Sequence, residues 1–314
     1  MSVAVIGSYN TGFLIHVDRL PVRGETVPGH GFRMEHGGKG SNQAIQCARL
    51  GCRTSMIARV GRDIFGDRAL EKWAEEGVDT RGVVRDEEEP TGAGLIMVGP
   101  GGANMIAVDL AANLRLSRRD VERSIDIIAE SDVVVSVFEI RVETALYALR
   151  RAAELGAKTI LNPAPASRIR PKELEGITVI TPNEVEMMTL AGLGSSSERE
   201  LSKAAEDYLG AVEHVVITLG ERGAMIVDDV GARVVQPPRI EAVDTTGAGD
   251  AFNGALATAL SWGMSIDDAV RYGCLAGAFL SARIRRGELV ESLGHRDELE
   301  RFSEKVGYSI GRKR

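Results

Sequence analysis

Asp250 stands in the segment of the chain richest in chemistry, Ala242-Val243-Asp244-Thr245-Thr246-Gly247-Ala248-Gly249-Asp250-Ala251-Phe252-Asn253-Gly254-Ala255-Leu256. Gly247 and Gly249 directly precede an apolar helical pattern. They let the chain turn tightly and leave backbone N–H groups facing one point. A helix N-terminus there adds roughly half a positive charge. The result is an anion hole suited to a phosphoryl group in transfer. Such a transfer also needs an acceptor for the proton of the attacking hydroxyl, and Asp250 is the candidate base. A carboxylate in a first helical turn is also an ordinary cap. The two glycines before it favour the catalytic reading.

A second segment, Gly37-Gly38-Lys39-Gly40-Ser41-Asn42-Gln43-Ala44, resembles a P-loop only superficially. Gly40 stands where Ser or Thr must follow the lysine, and Arg33 where the first glycine belongs. Its glycines would let a polyhydroxy ligand approach the backbone, with Lys39 and Asn42 as donors. A plain Gly-rich loop before a helix is the alternative. The first strand, Val3–Ile6, ends at Gly7, but Tyr9 occupies the place of the second glycine of a dinucleotide site, which makes a dehydrogenase a weak alternative. Glu186, in Asn183-Glu184-Val185-Glu186, would hold a magnesium-bound water, since a hard cation prefers oxygen ligands. The turn Thr218-Leu219-Gly220-Glu221-Arg222-Gly223 would seat a nucleotide. An exposed helical carboxylate and an ordinary hairpin turn are the competing readings of these two. The histidines show no metal-ligand spacing.

Positioning these residues requires strands that alternate with helices. Strands are expected at Val3–Ile6, Thr54–Val60, Val133–Phe138, Thr159–Leu161, Thr178–Ile180 and Val215–Thr218. Helices are expected over Ser41–Leu50, Asp67–Glu76, Ser117–Ala129, Val142–Leu155, from Glu184, over Glu198–Leu209, Ala248–Trp262 and Ile266–Ala282. The alternation predicts an α/β fold with a mainly parallel sheet flanked by helices. Two stretches, about 8–36 and 91–113, break the rhythm and read as a small sheet outside the main layer. Within them Gly99-Pro100-Gly101-Gly102 signals a hairpin. Residues 1–314 read as one domain.

Bulk properties exclude several classes. A net charge of -7 argues against a nucleic-acid partner. No apolar stretch is long enough for a membrane span, and Met1–Asn10 lacks the pattern of a signal peptide. Three cysteines with no CxxC pair suit no disulfide framework, which predicts a cytoplasmic location.

Taken together, Gly37–Ala44, Asn162-Pro163-Ala164-Pro165-Ala166, Thr181-Pro182-Asn183-Glu184, Thr218-Leu219-Gly220 and Asp244–Leu256 resemble the ribokinase family, the phosphofructokinase B-type carbohydrate kinases. The resemblance runs from Val3 to about residue 295. It implies an ATP- and magnesium-dependent kinase that phosphorylates a hydroxymethyl group of a sugar. It also implies a small β lid over the sugar and a homodimer paired through the lids. Carried over by position, Asp250 is the base, and Gly247, Ala248 and Gly249 form the anion hole. Asn10, Gly12, Gly38, Lys39, Asn42 and Glu139 line the sugar site. Asn183, Thr218, Gly220, Gly223 and Gly249 meet the nucleotide, and Glu186 acts through magnesium. Asp244 and Thr246 would bind a monovalent cation such as potassium. Arg283-Ile284-Arg285-Arg286-Gly287, however, replaces a Gly-containing loop that helps hold it.

Ribose-specific members carry Asn-x-Asp where this chain has Asn10-Thr11-Gly12. A hydroxyl-reading site that loses its acceptor loses discrimination. Ribose is therefore expected to be a poor acceptor, a bulkier one better, and Gly12→Asp to shift the preference toward ribose. A nucleoside kinase is the alternative within the family. A sugar-binding regulator without chemistry is the alternative outside enzymology, and the intact Gly247-Ala248-Gly249-Asp250 argues against it.

Overall fold

Ser-Val-Ala-Val-Ile at 2–6 and Val-Val-Val-Ser-Val at 133–137 are buried at every position, so both must lie in a sheet covered on both faces. The computed structural model describes residues 1–194, 197–283 and 289–310. Its first half runs β1 (Ser2–Ile6), β2 (Asn10–Val17), β3 (Gly29–Gly37), α1 (Lys39–Arg49), β4 (Arg53–Gly61), α2 (Ile64–Glu75), β5 (Asp79–Asp86), β6 (Gly92–Val98) and β7 (Asn104–Asp109). Next come α3 (Arg118–Arg123), α4 (Ile125–Ala129), β8 (Val133–Val137), α5 (Val142–Glu154), β9 (Lys158–Asn162), β10 (Ile177–Ile180), α6 (Glu184–Ala191) and α7 (Glu198–Glu206). The chain continues through β11 (Val212–Thr218), β12 (Ala224–Asp228), β13 (Gly231–Val235), α8 (Ala248–Ser261), α9 (Ile266–Arg283), α10 (Leu289–Ser292) and α11 (Arg296–Val306).

Nine strands form the main sheet in the order β13-β12-β11-β10-β9-β8-β1-β4-β5. Pairing is parallel from β5 to β11 and antiparallel only at β11–β12 and β12–β13. Alternate side chains point to opposite faces of a strand. Val3, Val5, Val133 and Val135 accordingly pack with Ala44, Trp73, Ala251 and Leu275 on one side. Ala4, Ile6 and Val134 pack with Val121, Ile128, Leu149 and Leu201 on the other.

The two stretches outside the βα rhythm supply β2, β3, β6 and β7, which form a separate four-stranded sheet in the order β3-β2-β6-β7. Its central pair, β2–β6, is parallel and its outer pairs are antiparallel.

Local differences from the expected elements have identifiable causes. The helix expected over 117–129 breaks at Ser124, which adopts φ -106° and ψ 16° and bonds three residues back to Val121. The helix expected over 198–209 ends at Glu206. The Tyr208 hydroxyl is held there by the carbonyls of Ile169 and Leu190, both at 3.0 Å, which draws the chain off the helical path. β5 carries Asp79, Arg81, Arg85 and Asp86, charges that conceal a strand in the sequence. α11 turns Leu299 and Ser303 inward and was not expected either.

Trp73 is 0% exposed. Its indole N–H donates to Ser41 Oγ at 2.9 Å, and its ring meets Tyr9 edge-on at 5.5 Å. It therefore ties α2 to the start of α1 and to the turn before β2. Trp73→Ala is expected to cost about 3–5 kcal/mol of stability, and Trp73→Phe clearly less. Urea unfolding of both variants checks this.

Candidate functional site

The candidate residues gather where parallel strands end. Ser8 and Asn10 follow β1, Glu139 follows β8, and Asn162 closes β9. Thr181, Asn183 and Glu186 follow β10, and Thr218 closes β11. Ligands of open α/β sheets bind outside the carboxyl ends of the strands, and α1 and α8 both begin at this edge.

α8 starts at Gly247, whose φ of 75° is left-handed, and a Cβ there would sit 2.3 Å from Leu289. That turn delivers Asp250 in the first helical turn, 6% exposed. Asn42 Nδ2 donates to Asp250 Oδ2 at 2.8 Å and Gln43 Nε2 donates to Oδ1 at 3.3 Å. Both donors come from α1, whose close approach requires Gly40: a Cβ there would lie 2.5 Å from the Ser8 nitrogen. Ala248 N–H donates to the Thr245 carbonyl at 3.1 Å, so of the expected anion-hole donors that one is already engaged. A Cβ on Gly249 would meet nothing within 4 Å, so the backbone faces open space there.

A chain of buried amides and a hydroxyl stands behind the carboxylate. Gln43 Nε2 also donates to Asn162 Oδ1 at 3.1 Å, and Asn162 Nδ2 to the Thr181 carbonyl at 3.1 Å. Thr181 Oγ1 donates to Asn253 Oδ1 at 2.6 Å, and Asn253 Nδ2 to the Gly249 carbonyl at 2.8 Å. The chain thus returns to α8 beside Asp250. Gln43, Asn162, Thr181 and Asn253 lie inside the sequence motifs but had no role assigned from them. Asn42 Oδ1 and Gln43 Oε1 are buried without a hydrogen-bond partner. Buried polar atoms are normally paired, so these two acceptors beside Asp250 suit a ligand that brings hydroxyl groups.

Glu139 anchors the other side. Its Oε2 accepts from Ser8 Oγ at 2.5 Å, from Lys39 N–H at 2.8 Å and from Asn10 Nδ2 at 3.4 Å. Asn10 Oδ1 accepts from Asn113 Nδ2 at 3.0 Å, and Asn113 also bonds the Tyr9 backbone in both directions. Asn113 sits in a short 3-10 turn, and nothing in the sequence marked it. The Lys39 ammonium is pushed above its ordinary value by Asp250 first, against the effect of burial, with Glu139 and Glu186 adding to the rise. Burial pushes the carboxyls of Glu139 and Glu186 up. The structure thus brings Asn10, Lys39, Asn42, Glu139, Glu186 and Asp250 into one electrostatic neighbourhood. Gly12 lies on β2, two residues beyond Asn10.

The residues expected at the nucleotide form an adjoining group. Asn183 bridges to Thr218, whose N–H donates to the Pro182 carbonyl at 2.9 Å. Gly220, with φ 60°, opens the next turn. Gly223 has a structural reason for its identity, since a Cβ would stand 2.0 Å from the Val235 carbonyl. Glu186 and Asn183 cap α6 reciprocally, each bond at 2.8 Å. Among the described residues no three His, Cys, Asp or Glu side chains converge on a metal position. A single carboxylate fits a magnesium-type ion, which keeps several waters and shares phosphate ligands. Asp244 Oδ1 accepts from Thr246 N–H at 2.9 Å and from its hydroxyl at 2.7 Å. Of the stretch expected to replace a potassium loop, residues 284–287 lie outside the described residues. Cys47, Cys52 and Cys274 are buried free thiols, and no described helix is long and apolar enough to cross a membrane.

Residues 1–285 match the model of the pfkB family carbohydrate kinases. The chain is 36% identical to a ribokinase of Haemophilus influenzae over 278 residues, covering 88% of this chain and 91% of the relative. It is 32% identical to a deoxyribokinase of Salmonella typhi over 288 residues, 89% of this chain and 92% of that protein. The solved structure of ribokinase from Thermotoga maritima superposes with a TM-score of 0.86 at 32% identity, covering 97% of this chain and 99% of that one.

Burial raises the Glu139 carboxyl from its ordinary 4.5 more strongly than the Ser8 hydroxyl, the Lys39 N–H and the Lys39 ammonium lower it. A carboxyl raised in the folded state holds its proton more tightly there. Its stabilising contribution is complete below 4.5 and is lost as pH rises through the folded-state value. Glu139→Gln stays neutral and escapes that loss. Its stability relative to the parent protein is expected to improve over the range from pH 4.5 to above the folded-state value. Urea unfolding at both ends measures it, and a difference independent of pH would contradict the raised value.

Proposed function

The chain belongs to the pfkB family of carbohydrate kinases, and from that premise we propose that Asp250 is its catalytic base and a free pentose its acceptor. ATP-dependent sugar phosphorylation is the family's activity and this chain's. The observation that carries the assignment is the Asp250 carboxylate, buried at the N-terminus of α8 and held only by donors, Asn42 and Gln43. The two amides orient both of its oxygens. The pentose is supported by the names of the relatives, a ribokinase and a deoxyribokinase.

In the reaction, the oxygen of the sugar's hydroxymethyl group attacks the γ-phosphorus of ATP. The bond from that phosphorus to the β–γ bridging oxygen breaks, ADP leaves, and the hydroxyl proton passes to Asp250. Positioning and charge neutralisation dominate such a transfer. The Lys39 ammonium lies within electrostatic reach of Asp250. The α8 N-terminus offers Gly249 N–H to the phosphoryl oxygens, since the first N–H groups of a helix lack carbonyl partners within it. Asn10, Asn42 and Glu139 hold the sugar, and Asn183, Thr218 and Gly220 the nucleotide. Glu186 would hold a water of a nucleotide-bound Mg2+, and that ion would neutralise phosphate charge.

The four-stranded sheet acts as a lid that excludes water, a competing acceptor. Phe32, Met34, Leu95 and Met105 are exposed on the face away from the site. An apolar face of that kind marks an interaction surface, and a second copy of the chain is the partner we assign to it.

Asp250→Asn keeps the side-chain shape but removes the base. It is expected to retain ATP and sugar binding while losing at least ~10²-fold in kcat. A coupled ADP-release assay alongside calorimetric binding measures both. Turnover above half that of the parent would end the assignment of Asp250.

A further inference from the structure

We infer that Glu35 of β3 is a specificity-determining residue, whose carboxylate accepts hydrogen bonds from the secondary hydroxyls of the acceptor sugar beside the position that Gly12 leaves without a side chain. The inference rests on the pentose-kinase reading above and deepens it.

Strand register carries the argument. Asn10 pairs with Gly37 of β3 and with Gly92 of β6, and Gly12 pairs with Glu35 and with Gly94. Paired residues share a face, and so do residues two apart on one strand. These six positions therefore form one block on one face of the small sheet. Four of them are glycine, and the two side chains are those of Asn10 and Glu35. The next row, Arg33, Leu14 and Ile96, closes the depression. Asn10 Nδ2 reaches Glu139, which accepts from Lys39 N–H, so the block is continuous with the cluster around Asp250.

Glu35 is well placed in this block. A Cβ at Gly12 would stand 3.7 Å from the Glu35 Cβ. The side chain is 17% exposed, and Arg33 Nε donates to its Oε1 at 3.1 Å, which fixes its direction. Two residues of strand span about 7 Å, so Glu35 lies about one sugar ring beyond Gly37 and the start of α1. A pentose whose hydroxymethyl group meets Asp250 carries its secondary hydroxyls at its other end, toward this depression. A charged acceptor there holds them more strongly than a neutral one.

The same geometry changes the expectation for position 12. A carboxylate at Gly12 would face Glu35 directly across the strand pair, where like charges repel. Gly12→Asp alone should therefore not improve ribose phosphorylation, and ribose need not be a poor acceptor. The carboxylate has moved to the neighbouring strand.

The test compares kcat/KM for ribose and 2-deoxyribose at saturating ATP in the parent protein, E35A, E35Q, G12D and G12D/E35A. The parent should prefer ribose. E35A should lose ~10-fold or more on ribose through KM, and less than ~3-fold on 2-deoxyribose, with KM for ATP unchanged. E35Q, which keeps the shape and an acceptor for Arg33, should lose part of the preference and carries the test if E35A fails to fold. G12D/E35A should recover the preference for ribose, which a purely structural role of Glu35 would not allow. Equal losses on both sugars, or no recovery in the double variant, overturn the role of Glu35 while leaving the pentose reading intact. A parent protein that phosphorylates neither pentose overturns the pentose reading, and Glu35 as a reader of its hydroxyls falls with it.

Discussion

A carboxylate out of water is costly unless donors surround it, and much of the architecture follows from meeting that condition at Asp250. Its donors, Asn42 and Gln43, belong to α1, more than two hundred residues away in sequence. They reach it only because α1 and α8 lie almost in backbone contact. Gly254 makes this possible: a Cβ there would press to 2.6 Å from the Gln46 Cβ. Cys47 Sγ fits into the same contact, donating to the Gly254 carbonyl at 3.2 Å. The small residues of α8 are thus as much a part of the site as the charged one, because they set the distance at which the amides find the carboxylate.

The amides that hold Asp250 must themselves be held. Gln43 leads to Asn162, Thr181, Asn253 and back to the first turn of α8. Each link comes from the carboxyl end of a different parallel strand or from the two helices, so the register of the sheet fixes the orientation of the Asp250 carboxylate. A network of this kind in a low-dielectric interior is rigid when complete and costly when broken. It ends in two unpartnered acceptors, Asn42 Oδ1 and Gln43 Oε1. Incompleteness at that one point is what a binding site for hydroxyl groups would require.

Features that depend on neighbours in sequence were legible before the structure. The glycines before α8, the Gly-rich start of α1 and the alternation of strands with helices are all local signals, and they led to Asp250, Lys39 and Asn42. Features that depend on pairing were not. Asn113 orients Asn10 from a short 3-10 turn without periodicity, and Glu35 matters only once β3 is registered against β2. Gly12 by itself reads as the loss of a carboxylate, and only the strand register shows Glu35 as its cross-strand neighbour. β5 was missed because its charges are satisfied by partners such as Arg59 and Arg115 on Asp86, which the sequence does not reveal.

Charge balance gives the site a further constraint. Asp250 lies within electrostatic reach of both Glu139 and Glu186, and the Lys39 ammonium interacts with all three. Burial and the Asp250 charge both push the Glu139 and Glu186 carboxyls up, so among the described residues this cluster is short of positive charge. A nucleotide triphosphate brings several more negative charges to the same place. The N-terminus of α8 supplies roughly half a unit of compensation, too little to offset them. Phosphates that bring cations of their own would relieve that deficit, and a divalent ion bound to the nucleotide would do so without any dedicated cage of side chains. On the proposed reading, the single carboxylate of Glu186 would be a sufficient protein contribution, reaching such an ion through water. More carboxylates at that point would deepen the deficit that the ion is there to relieve.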